Sequence, residues 1–242
     1  MTTAGPSVLG VKIHAVTREE AVAILEGYIK SHTPHFIATA NAEMVMFAQK
    51  DRELANILNA ADLIVPDGAG VVWAARHQGF HVPERVTGYD LTQSLLYKAS
   101  IHGYRVFMFG AAPEVILAAK RKTESLYPGI HIVGSHHGFF SAADEDRIID
   151  QIRNAAPDVL LVALGVPKQE KWLYRNFHKL QVSVCMGVGG SFDVMAGSVR
   201  RAPEWMQRAN LEWLFRLLCQ PRRIGRMMAL PRFAIQVFIK NR

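Results

Sequence analysis

An α/β fold with a largely parallel sheet is what this sequence predicts, and two observations carry the prediction. Short runs of β-branched and apolar residues alternate with amphipathic helical stretches through most of the 242 residues. Polar and glycine-rich breaks follow those runs, where a strand would hand over to a loop or helix. Alternation of this kind favours strands that run the same way and are joined by helical crossovers.

The elements follow in order. A short β segment at 7–13 precedes Thr17, and Glu20 three residues later sets up a capping box for the first helix. HFIATANA (35–42) reads as a strand feeding a helix through Gln49, and Asp51 caps another helix reaching about Ala60. DLIVPDG (62–68) is a strand ending in a loop, followed by the helical AGVVWAARHQ. Tyr89–Ala99 is helical, and RVFMFG (105–110) is a strand opening directly into a helix near Pro113. IHIVG (130–134), VLLVALG (159–165) and VSVCMGVGG (182–190) are further strands with helices between them. The sum is a Rossmann-like sheet with flanking helices and a helical, basic C-terminal appendage. The division expected is an α/β catalytic domain over 1–200 and the appendage over 201–242.

Composition narrows the class. Half of the residues are hydrophobic and 20% are charged, which fits a globular chain with a substantial core. Cys185 and Cys219 lack metal-ligand spacing and are too few for a secreted disulfide framework, so a reducing compartment is expected. The N-terminus has no basic segment followed by an apolar run, and no stretch reaches the ~18 apolar residues of a membrane span. Of the net charge of +7, residues 200–242 carry +8, leaving −1 on the rest. Such an end suits anionic lipid, phosphorylated substrates or nucleic acid.

Open α/β sheets bind ligands at the carboxyl ends of their strands. The residues placed there are Thr39 and Asn41, Asp67 and Gly68, Gly110, Gly165 through Gln169, and Gly187 through Asp193. Thr39 and Asn41 are two apart, so strand alternation turns both to one face. A strand end with an N-cap at Asn41 is the plainer alternative. Asp67 can take a proton from a hydroxyl nucleophile or cap the next helix. The glycine turns GAAPEV (110–115) and GVGGSF (187–192) can hold a pyrophosphate or pack tightly. Neither completes G-x-G-x-x-G, and no acidic residue ends the following strand, which argues against a nicotinamide cofactor. Asp144–Glu145–Asp146 imitates a metal-binding D-x-D, yet acids after Ser141 suit a helix N-terminus. No metal and no cofactor are expected. Gln169 can bond a sugar or phosphate or sit in a solvated first helical turn. The helical pattern over 202–218 sets Met206, Ala209, Trp213 and Leu217 on one face. With the mixed apolar and arginine residues after it, this reads as an interfacial segment or as helices packed on the body.

Read together, TANAEM (39–44), LIVPDGAGVV (63–72), RVTGYDL (85–91), GAAPEV, VALGVPKQEKW (162–172), GVGGSFDVMAGSVRRAP (187–203) and LEWLFRLLCQPRRIGR (211–226) resemble the WecG/TagA/CpsF glycosyltransferase family. The resemblance runs from about residue 8 to the end and is closest to the TagA/TarA branch. It implies an inverting, metal-independent transfer of N-acetylmannosamine from a UDP donor to undecaprenyl-diphosphate-linked N-acetylglucosamine in wall teichoic acid synthesis. Relatives transfer other sugars, such as N-acetylmannosaminuronate or glucose. The resemblance makes Asp67 the base, with Thr39, Asn41, Gln169 and Arg85 as active-site groups. Arg216, Arg223 and Arg226 match arginines of an appendage that closes over the pocket and touches the membrane. The substrate-binding set expected is Gly110, Gly138, Phe139, Gly165, Pro167, Gly189, Gly190 and Asp193. The protein would then work at the inner face of the cell membrane, from the cytoplasm, with self-association left open. The competing classes are a nucleotide-dependent oxidoreductase and a basic nucleic-acid-binding module. The broken glycine fingerprints speak against the first, and the helically spaced apolar residues of the tail against the second.

Overall fold

The computed structural model describes residues 5–221 and 224–240. Its elements in chain order are β1 (Ser7–Val8), β2 (Val11–Lys12), α1 (Arg18–Ser31), β3 (His35–Ala40), α2 (Ala42–Ala48), α3 (Arg52–Asn59), β4 (Leu63–Pro66), α4 (Ala69–His77), α5 (Gly88–His102), β5 (Arg105–Gly110) and α6 (Pro113–Leu126). There follow β6 (His131–His136), α7 (Glu145–Asn154), β7 (Val159–Ala163), α8 (Lys168–Leu180), β8 (Val184–Gly187), α9 (Ser191–Ala196), α10 (Glu204–Arg208), α11 (Glu212–Cys219), α12 (Ile224–Met227) and α13 (Ala229–Lys240).

Six strands form one parallel sheet in the order β4-β3-β8-β7-β5-β6. The expected β segment at 7–13 is instead a tight antiparallel pair, β1 with β2, turning through Leu9 and Gly10 at positive φ.

Strand alternation divides the core into two layers. Phe36, Ile64, Phe107, Phe109, Leu160, Val162 and Cys185 pack toward α2, α3, α4, α7, α8 and α13. Ile37, Val65, Val106, Met108, Leu161, Val184 and Met186 face α1, α5, α6 and α9. The period-two pattern thus places helices on both faces, which lets strands as apolar as VLLVA stay dry on both sides.

The caps read from sequence are present. Thr17 and Glu20 form the reciprocal capping box of α1. The Asp51 carboxylate accepts from the Leu54 N–H at the start of α3. Asp144 closes a capping box with Ser141, and Glu145 accepts from Asn176, so two of the three acids of the D-x-D imitation hold local structure.

The tail departs from expectation. Residues 202–218 are not one helix; α10 ends near Arg208, and Asn210 adopts a left-handed conformation (φ 60°) before α11 begins. Asparagine tolerates that region better than other side chains. The break keeps Met206 buried against the body while Trp213 turns to the site and is 41% exposed. Further on, α13 lies against α2 and α4, with Phe233 and Val237 fully buried. Phe238 meets Trp73 and His77 edge to face.

Candidate active site

The carboxyl ends of β4, β3, β8 and β7 lie side by side and line a cavity of about 250 Å³. Thr39 and Asn41 arrive from β3, Asp67 and Gly68 from β4, Gly189 and Gly190 from β8, and Gly165 and Gln169 from β7. A second cavity of about 360 Å³ contains Asp193, Val199 and Gln220. The two meet at Gly165, Gly189, Gly190, Val194 and Arg216, forming one two-lobed crevice.

Among the described residues, Asp67 is the only carboxylate at a strand end in the first lobe. It does not cap α4, whose N-cap is Gly68 without a side-chain bond. Its Oδ1 accepts from the Gly88 N–H at 3.1 Å, tying the end of β4 to the start of α5. A Cβ on Gly88 would lie 3.2 Å from Thr39 Oγ1, so the absent side chain admits both neighbours. Burial pushes the Asp67 carboxyl up to about 6, against the pull of Arg216, the Gly88 N–H and Arg85, while Glu212 adds to the rise. A group near 6 is mostly ionised at neutral pH yet basic enough to take a proton.

Gln169 is buried, 1% exposed, and its amide is held at both ends. Nε2 donates to Glu170 Oε1 at 2.7 Å, and Oε1 accepts from the Gly189 N–H at 3.1 Å. A Cβ on Gly187 would come within 2.7 Å of Nε2, so this glycine makes room for the amide. Thr39 Oγ1 donates to the Gly187 carbonyl at 3.4 Å. Asn41 combines both of its expected roles: its Oδ1 accepts from the Met44 N–H as N-cap of α2, and it lines the cavity.

The cavity is roofed from the tail. Asn210, Glu212, Trp213, Arg216, Met227 and Leu230 face it from above. Arg85 donates to Glu212 at 2.7 Å, and Glu212 also lies 3.5 Å from Arg201. Arg201 grips Asp90 with two 2.7 Å bonds and stacks over Tyr89, and Asp90 accepts from Thr87 at 2.6 Å. Burial raises the Asp90 carboxyl, but the bonds from Arg201 and Thr87 together hold it below its ordinary value.

Of the expected site residues, Asp67, Thr39, Asn41, Gln169, Arg85, Gly165, Gly189, Gly190 and Arg216 come together at the first lobe, and Asp193 at the second. Gly110, Gly138, Phe139 and Pro167 line neither lobe. A Cβ on Gly110 would strike the Ala163 carbonyl at 2.4 Å, and Gly138 donates to the Ala111 carbonyl, so both close the β5 end of the sheet. Phe139 is 71% exposed, and Pro167 precedes the first turn of α8. Arg223 lies outside the described residues, as does the side chain of Arg226.

Sequence reasoning missed Glu170, Asp90, Arg201 and Glu212. Glu170 looks like a solvated charge within KQEK, yet it is 1% exposed and burial lifts its carboxyl to about 7. Its Oε2 has no hydrogen-bond partner among the described residues. The remaining three pair across 111 and 11 positions, a separation that no local pattern reveals.

A parallel α/β sheet whose strand ends enclose one raised carboxyl under a roof of arginines defines an enzyme crevice of the Rossmann-like type. The chain belongs to the glycosyl transferase WecG/TagA/CpsF family, whose model matches residues 6–242, and it is a glycosyltransferase. It is 40% identical over 210 residues to the N-acetylglucosaminyldiphosphoundecaprenol N-acetyl-beta-D-mannosaminyltransferase of Bacillus subtilis (strain 168), covering 87% of this chain and 81% of that protein. The protein of the same name from Bacillus spizizenii is 39% identical over 215 residues, 89% of this chain and 83% of its own. The one from Staphylococcus aureus (strain NCTC 8325) is 34% identical over 237 residues, 97% and 92% respectively.

Proposed function

We propose that this glycosyltransferase moves N-acetylmannosamine from UDP-N-acetylmannosamine to undecaprenyl-diphosphate-linked N-acetylglucosamine, a step of wall teichoic acid synthesis. The relatives' names support the sugar and the acceptor. The observation that carries the mechanism is Asp67, held at the cavity with its carboxyl near 6 and arginines on the facing wall.

The reaction is a single displacement. The acceptor hydroxyl gives its proton to Asp67 as its oxygen attacks the anomeric carbon. The bond from that carbon to the diphosphate oxygen breaks, UDP leaves with the electron pair, and the configuration inverts. Arg216 and Arg85 stabilise the charge gathering on the diphosphate, since charge-assisted bonds in a water-poor cleft are worth most where charge develops. Thr39, Asn41 and Gln169 orient the sugars. No residue in this scheme needs a metal ion.

The tail supports work at a membrane surface. No described helix is long and apolar enough to cross a bilayer. Trp205, Leu218, Ile224, Met228, Ile235, Phe238 and Ile239 are exposed on the segment that carries the +8 charge. Apolar side chains entering the headgroup region beside arginines that meet anionic lipid is the pattern of an interfacial helix. The division into a catalytic body over 1–200 and a membrane-facing appendage over 201–242 is part of this reading.

The test is incubation with a panel of UDP-sugars and a lipid-diphosphate-linked N-acetylglucosamine acceptor, with products read by mass spectrometry. A mass gain of one N-acetylhexosamine from UDP-N-acetylmannosamine alone is expected. Transfer of a different sugar, or of none, would overturn the assignment.

A further inference from the structure

Helix α11 carries the arginine that faces Asp67, yet its apolar side chains Leu214, Phe215 and Leu217 are only half-buried. None of its residues is buried, and Leu218 is 68% exposed. What ties its first turn to the body is Glu212, which bonds Arg85 at 2.7 Å and reaches Arg201 at 3.5 Å. Arg201 is in turn fixed by Asp90 with two bonds and by the Tyr89 ring. Both acidic anchors sit at a helix start, Asp90 in the first turn of α5 and Glu212 in that of α11. Glu212 and Arg216 are one turn apart, so a helix pinned at one presents the other to the same face, and both line the lobe that contains Asp67.

We propose that Glu212 is a positioning residue for the transfer reaction: by pinning α11 through Arg85 and Arg201, it sets the Arg216 guanidinium over the crevice. This rests on the reading of Asp67 and Arg216 as base and leaving-group stabiliser. The carboxylate itself does not touch the reacting atoms; it acts through the two arginines. Its charge, and not only its shape, matters, because Arg85 and Arg201 would otherwise repel across the gap that it fills.

Two measurements on the full-length protein test this. Hydrogen exchange followed by mass spectrometry, without substrate, compares wild type with Glu212→Gln and, from the other side of the latch, Arg201→Gln. Both variants should speed exchange across Glu212–Cys219 and leave the six sheet strands unchanged. Turnover is then measured for Glu212→Gln, Arg216→Gln and the double variant. Glu212→Gln should lower kcat at least about tenfold, toward the roughly 100-fold that an ångström of misplacement costs. Added to Arg216→Gln, it should cost less than about twofold more, because residues acting through one another are not additive. Unchanged exchange in α11, losses that multiply, or tighter UDP binding by Glu212→Gln would each overturn the proposal. The last outcome would mean that Glu212 competes with the diphosphate for Arg85. If the wild type transfers no N-acetylmannosamine, the exchange data still decide the latch, and only the function proposed above fails.

Discussion

The floor and the roof of the crevice are held by different forces. The floor is the parallel sheet: Thr39, Asp67 and Gln169 sit on strand ends or the helix beside them, and the layers beneath are closed to water. The roof is α11, without a buried residue and pinned through arginines and carboxylates that keep 17–26% of their side chains exposed. Packing places Asp67, and charge places the arginine that faces it. Close packing resists displacement by a methyl group, whereas ion pairs that keep contact with solvent weaken with salt. The floor is therefore set by folding, and the roof by conditions.

The largest effect tests the floor. Asp67→Asn should lower kcat by at least about 100-fold, the scale of a lost general base, while UDP still binds by calorimetry. Near-normal turnover would remove Asp67 from the role. Next, Arg216→Gln should cost about 100-fold in kcat, the loss typical of one stabilising donor, without changing the melting temperature. A lowered melting temperature would show the roof to be structural rather than electrostatic.

Gly187→Ala attacks the floor sterically. Its new methyl would lie 2.7 Å from Gln169 Nε2 and force the amide aside, destabilising by about 1–3 kcal/mol and reducing kcat about tenfold. Unaltered activity would show that Gln169 tolerates displacement.

The pH dependence is gentler. As a base, Asp67 works only when ionised, so kcat/KM should fall as pH drops through about 6. The Asp67→Asn residual activity should lack that limb. Its persistence would assign the titration elsewhere.

The smallest effect separates stability from activity. Glu170 has its carboxyl raised from 4.5 to about 7 in the folded protein, so between those values the native state binds a proton that the unfolded chain does not. Its burial then lowers stability progressively as pH rises through that window, and the full penalty remains above 7. Glu170→Gln should melt a few degrees higher than wild type at pH 8 and show no such advantage at pH 4. An equal shift at both values would mean that packing, not ionisation, is responsible.

How much of this could be read from the chain depends on range. Thr17 with Glu20, Asp51 and Asn41 act on groups three residues away, and each was legible as a cap. The strands were legible because apolar runs bounded by glycine and proline admit few other readings. Position within the sheet was not: nothing in VSVCMG says that this strand lies beside HFIATA. The split of 202–218 at Asn210 escaped because its apolar spacing continues across the break. Most of the floor could be located because its residues follow strands directly. The ion pairs of the roof could not, because Glu212 meets a partner 127 positions earlier in the chain.

One consequence lies in the strand order. Among the described residues β8 is the last strand to leave the ribosome, yet it is inserted between β3 and β7. Until residue 187 has emerged, the β3–β4 pair and the β7–β5–β6 trio have no strand to join them, and each shows an unpaired, apolar edge. Pairings this distant in sequence form slowly and leave such edges open to other chains. A nascent fragment ending before β8 would hold Thr39, Asn41 and Asp67 on one ribbon and Gln169 beside the other, so synthesis must run nearly to the tail before any crevice exists.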